Sequence, residues 1–150
     1  MRVVLDTNVI IDATADHFSA QTKLIEAVIA GELTALATPA VLREYHRITG
    51  QLLTTPAQRE QFEQLVAALE NVSPGSVEVQ IDDEEDRKII AAALGGGATH
   101  LVTRDNHLLD IGEIDDLDMV TPQECWNSWL AARGESTEWQ TWLNDLGIGS

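Results

Sequence analysis

Apolar positions along the chain fall into two kinds of run. Short, β-branched or small-residue runs at Val3–Leu5, Leu33–Thr38, Val77–Ile81, Ala98–Thr103 and Met119-Val120 read as strands. Between them, apolar residues recur at three- and four-residue spacing, as on one face of a helix. A helical pattern begins after Asn8, breaks at the polar stretch Thr14–Gln21, resumes with Leu24, Ile25, Val28 and Ile29, and stops at Gly31. Pro39 opens a helix with the stripe Val41, Tyr45, Ile48 and Leu52. After a break at Thr54–Pro56, Ala57–Asn71 forms another, with Phe62, Leu65, Val66 and Leu69 inward. The acids Asp82–Asp86 head a helix through Leu94 that Gly95–Gly97 end. A short helical turn at His107–Leu109 and a helix from Thr121 through Leu130 complete the pattern. Alternating strand and helix predicts an α/β fold, a parallel central sheet with helices on both faces. Trp139, Trp142, Leu143 and Leu146 add a C-terminal helical extension over residues 133–150, outside a domain of residues 1–132.

Composition narrows this picture. At 150 residues and 44% hydrophobic content, one domain with a sizeable core is expected. No run of eighteen apolar residues and no leader pattern is present, so a cytoplasmic protein without membrane attachment is expected. The single Cys125, beside Trp126, excludes an internal disulfide or a cysteine metal cluster and reads as core. The net charge of −16 repels nucleic acid unless cations or a local basic patch intervene, and it suits a basic protein partner.

The chemistry lies where elements end. Asp6 follows a buried strand and precedes the turn formers Thr7 and Asn8; Asp105 repeats the arrangement after Thr103 and Arg104. On adjacent parallel strands, the two stand at the same sheet edge, where ligands bind in open α/β sheets. Glu44 lies one turn into the helix opened by Pro39, about 70° from the centre of its apolar stripe. Asp86 heads the face carrying Ile89, Ile90 and Ala93. All four acids can meet, and clustered carboxylates retain a proton unless a cation binds. Oxygen donors of this kind suit Mg²⁺ or Mn²⁺, and such a site activates water and steadies a phosphoryl transition state. Each acid has a plainer reading: helix caps for Asp6 and Asp105, pairing with Arg43 or Arg47 for Glu44, a helix-dipole role for Asp86. The other acids, Asp82–Glu85 and the run Glu113–Asp118, read as solvated; Asp12 reads as a surface residue.

The segments Val4–Ile10, Pro39–Tyr45, Asp83–Ala93, Gly97–Leu109 and Val120–Glu124, in this order and spacing, resemble the PIN domain, a family of Mg²⁺-dependent nucleases, and most closely its bacterial toxin branch. The resemblance covers about residues 1–132 and implies a PIN-like fold. It also implies hydrolysis of RNA phosphodiesters and an antitoxin partner, while the tail's apolar stripe would be covered by its own domain, across a homodimer or by that antitoxin. It places the family's acids on Asp6, Glu44, Asp86 and Asp105 as catalytic residues, with Asp6, Asp86 and Asp105 as metal ligands. Asn8 and Thr103 would support them, and Arg104 would meet a phosphate. Many members carry a further acid where this chain has His107, and a proline where it has Glu84. Arg43, Arg47, Arg87, Lys88 and Arg104 cluster near these acids in sequence and would supply a positive rim, or else simply face solvent. A different class, a catalytically weak scaffold acting through a protein partner, is favoured by the charge and the tryptophan-bearing tail. A haloacid-dehalogenase-like phosphatase needs an acid where Asn8 stands.

Overall fold

The computed structural model describes residues 1–13, 18–134 and 146–147. Its elements are β1 (Arg2–Leu5), α1 (Thr7–Ala13), α2 (Ala20–Ile29), β2 (Thr34–Ala37), α3 (Pro39–Leu52), α4 (Pro56–Ala68), β3 (Glu70–Asn71), α5 (Glu84–Gly95), β4 (His100–Val102), α6 (Asn106–Ile111), β5 (Glu113–Ile114), β6 (Leu117–Val120) and α7 (Pro122–Arg133). The sheet order is β3-β2-β1-β4-β6-β5, with every neighbouring pair parallel except the β5–β6 hairpin. Val3, Val4 and Leu5 are consecutive and all buried, as are Leu101 and Val102. Burial of successive strand residues means that both faces of the sheet are covered. Helix α5 packs on β1, β2 and β4 and against α3, while α7 packs on β4 and α2.

The central pair sets everything else. Leu5 lies opposite Val102 in the β1–β4 register, so the next residues, Asp6 and Thr103, emerge side by side at the carboxyl edge. From β1 the chain moves outward to β2 and β3, then returns to β4 on the other side of β1. Such a reversal opens a crevice beyond the strand ends.

Four expectations change. The apolar alternation Val77–Ile81 is not a strand; Val79 is exposed and the segment is an irregular connection. The third strand is instead the two-residue Glu70–Asn71, which pairs with Leu36-Ala37 through backbone alone and cuts the preceding helix short at Ala68. The acid-rich run Glu113–Asp118 is a hairpin rather than a loop: its acids are exposed as expected, but Ile114 and Leu117 are buried, and Asp115 takes the turn at φ 53°. Helix α3 ends at Leu52, which is exposed, and its extended successor Leu53 fills the core position.

The glycine run does more than stop α5. A Cβ on Gly95 would lie 1.9 Å from the Ser73 carbonyl oxygen and 2.5 Å from Gly75 N, because the connection from β3 crosses the helix end backbone to backbone. Gly75 N–H donates to the Ala91 carbonyl there at 2.8 Å. Gly97 takes φ +66°, which turns the chain into β4. Cys125 is buried, its thiol pushed up to about 12 by desolvation, as a core cysteine should be. The expected C-terminal amphipathic helix, with Trp139, Trp142 and Leu143, lies outside the described residues; Leu146 is described and exposed.

Candidate active site

Asp6, Thr7, Asn8, Glu44, Asp86 and Asp105 line one pocket of about 230 Å³ at the carboxyl edge of β1 and β4, together with Ala40, Val41, Glu85, Lys88 and Ile89. Each acid arrives by a local device. Asp6 is placed by its backbone N–H, which continues the ladder to the Val102 carbonyl at 2.9 Å. Its carboxylate accepts from Thr7 N–H at 2.8 Å, from Asn8 Nδ2 at 3.2 Å and from Thr103 Oγ1 at 2.7 Å. The same Thr103 hydroxyl oxygen accepts from Asp105 N–H at 3.0 Å, so one buried side chain positions both strand-end acids. Asp105 caps α6 by accepting from His107 N–H at 2.9 Å through Oδ1. The cap reading of Asp105 therefore holds, and it does not compete with a pocket role.

The other two acids ride on helices. Thr38 caps α3 and Pro39 starts it, so the Glu44 side chain reaches the pocket, where Arg47 holds it at 2.9 and 3.0 Å. Asp83 caps α5 by accepting from Glu85 and Asp86 N–H, which sets Asp86 on the first turn. Among the described residues, no hydrogen bond engages the Asp86 carboxylate.

The electrostatics follow from this crowding. Burial pushes the Asp6 carboxyl above the ordinary aspartate range; Thr103 and Thr7 pull it back, and Asp105 and Glu44 push it further. Asp86 is raised by burial first, then by Asp83, Asp105 and Asp6. One donor atom each from Asp86, Asp105 and His107 lies within 4.8 Å of the others. The donor set fits a divalent cation: hard oxygens, mutual repulsion that a cation relieves, and a carboxylate left free to turn.

Sequence reasoning missed Tyr45 as a positioning residue. It is buried, and its hydroxyl donates to the Leu5 carbonyl at the end of β1, fixing α3 beside the strand one residue from Glu44. Asp12 is likewise more than surface: its carboxylate holds Arg104 Nη1 at 2.6 Å. Arg104 does not line the acid pocket; it lines a separate depression with Ser19, Asn106 and Thr121. Its backbone N–H still meets Asn8 Oδ1 at 3.4 Å. The expected positive rim is mostly committed: Arg47 to Glu44, Lys88 to Glu85, Arg104 to Asp12, and Arg87 to the Ile81 carbonyl.

No curated protein matches the chain. Among solved structures, the fold is similar to a chain of VapBC2 from Rickettsia felis, crystallised bound to a DNA fragment from its promoter. That likeness has a TM-score of 0.55 and 18% identity, covering 79% of this chain and 97% of the other, and it speaks to fold alone. A family model described as PIN domain matches residues 2–107. This stretch runs from β1 into α6 and carries Asp6, Glu44, Asp86 and Asp105, and the chain belongs to the PIN-domain family.

Proposed function

We propose that the chain is a divalent-metal-dependent endoribonuclease that hydrolyses RNA phosphodiester bonds, acting as the toxin of a toxin–antitoxin pair. The observation that carries this reading is the convergence of Asp6, Glu44, Asp86 and Asp105, from four separate parts of the chain, on one pocket. Family membership makes a nuclease the general expectation, and the likeness to VapBC2 supports a protein antitoxin as partner. A homodimer and a cytoplasmic setting fit the same reading. Among the described residues, no helix is long and apolar enough to cross a membrane.

Asp86 and Asp105, with Asp6 beside them, would hold Mg²⁺ or Mn²⁺. When bound, the ion lowers the pKa of water and neutralises charge on the phosphoryl oxygens. The chain's own part is orientation. Thr103 and Asn8 fix the direction of Asp6, and Thr103 sets Asp105. Glu44 faces the pocket from α3 and orients the attacking water, accepting its proton as the new P–O bond forms. The opposite P–O bond breaks, and the leaving oxygen takes a proton from solvent. Arg104, outside the pocket, meets the phosphate of a flanking nucleotide once it leaves Asp12.

Purified protein incubated with RNA and Mg²⁺ or Mn²⁺, beside Asp6→Asn, tests this. The substitution is expected to lower cleavage more than about 100-fold, beyond the loss typical of a supporting residue. Equal cleavage by both proteins rejects the site. The weak-scaffold reading gains from one observation: Arg47, Lys88 and Arg104, the bases an RNA backbone would meet, are paired within the chain. It predicts no metal-dependent cleavage by either protein, alongside tight binding of a basic protein partner by both.

A further inference from the structure

We infer that His107 supplies an imidazole donor beside the Asp86 and Asp105 carboxylates, and that this donor tilts the pocket toward Mn²⁺ over Mg²⁺. The inference rests on the metal-site reading above and concerns which ion that site selects. Three observations carry it. A ring nitrogen of His107 lies within 4.8 Å of a carboxylate oxygen of both Asp86 and Asp105. The backbone beneath the ring is fixed, since His107 N–H donates to the Asp105 cap. The ring is also uncommitted. Of the described histidines, His46 stacks edge-on against Phe62 and His100 meets the Thr99 hydroxyl, whereas the exposed His107 ring has no hydrogen-bond or ring partner among the described residues.

Chemistry supplies the direction. Mg²⁺ is small, keeps its water and prefers oxygen; imidazole is a better donor to transition metals. A site of two carboxylates and one imidazole therefore discriminates against Mg²⁺ more than an all-oxygen site does. His107 is a specificity-determining residue in this sense: replacing it changes which ion is held before it changes whether one is held.

The test uses the full chain and Mn²⁺ itself as probe. Pulsed electron-spin-echo spectroscopy of bound Mn²⁺ is expected to show ¹⁴N modulation in the unaltered protein and none in His107→Ala or His107→Asp. Competition binding is expected to show the Mn²⁺-over-Mg²⁺ preference falling about tenfold in both variants, equivalent to ~1.4 kcal/mol. His107→Asp, which returns an oxygen donor, should bind Mg²⁺ more tightly than the unaltered chain. Because the ring is exposed, both variants should keep the thermal midpoint of the apo protein. Nitrogen modulation absent from the unaltered protein, or persisting in His107→Ala, overturns the inference, as does an unchanged ion preference. Asp86→Asn separates the two levels. If it abolishes Mn²⁺ binding while His107→Ala changes nothing, only the imidazole assignment falls. If Asp86→Asn binds Mn²⁺ as before, the pocket reading falls with it.

Discussion

Asp6 and Asp105 stand at the ends of neighbouring parallel strands, and each is tied to main chain and to Thr103. Glu44 and Asp86 face them from helices, one clamped by Arg47 and the other without a hydrogen bond among the described residues. The strand-borne half is rigid because its partners belong to the sheet ladder and to helix starts. On the helix-borne half, the Asp86 carboxylate can turn by side-chain rotation alone. A pocket built this way has one wall that defines where charge must sit and one wall that adjusts to what arrives. The division also explains where desolvation falls: the deeper strand-end carboxyl, Asp6, is shifted upward despite three donors pointed at it.

The largest effect should come from the adjustable wall. Asp86→Asn is expected to lower metal-dependent cleavage more than about 100-fold, beyond the loss for a supporting residue, while leaving thermal unfolding nearly unchanged. Activity within about threefold of the unaltered chain would mean that the free carboxylate is not part of the working set. Next, Thr103→Val removes the hydroxyl shared by Asp6 and Asp105; the expected cost is about 10–100-fold in metal affinity or activity. If only stability falls, the rigid wall matters for folding and not for the site. Tyr45→Phe tests the anchor between the walls. It leaves the Leu5 carbonyl without its donor and should cost about 1–3 kcal/mol in denaturant unfolding.

The smallest effect is electrostatic. Asp6 has its carboxyl raised in the folded chain, chiefly by burial, so the folded state binds the proton more tightly than the unfolded one. Its contribution to stability therefore falls as pH rises through the raised value. Without metal, Asp6→Asn should raise Tm at pH 7, because the amide removes the buried charge. The gain should shrink as pH falls and vanish below 3.8, the ordinary aspartate value, where both states are protonated. A gain that is independent of pH would point to packing instead.

Sequence pattern reveals the parts of the fold that bury side chains and conceals those that pair backbone. Val3–Leu5 and the acid after them are legible because a buried strand ending in a carboxylate is costly unless that acid has partners. Glu70–Asn71 is illegible, since two exposed polar residues join the sheet edge by main-chain bonds alone. Val77, Val79 and Ile81 alternate like a strand, yet the connection is held at Gly75 and Gly95 by backbone contact, which no hydrophobic pattern encodes. At the site, Asp6, Asp86 and Asp105 are legible from their positions at element ends, and Glu44 from its place beside an apolar stripe near a helix start. Tyr45 is hidden because its hydroxyl works from within an apolar stripe. Asp12 and Arg104 are 92 residues apart, a pairing that only the β1–β4 register creates.

That register has a consequence for how the protein is born. β1 is made before the rest of the sheet, but the Thr103 hydroxyl that steadies Asp6, just past its partner β4, follows 97 residues later. At ~5–20 residues per second, ribosomes need about 5–20 s to supply them. Through that interval the nascent chain carries Asp6 and later Glu44, but not the wall they face. The four acids thus cannot converge in any fragment lacking β4, and their pocket assembles only when synthesis of the sheet is nearly done.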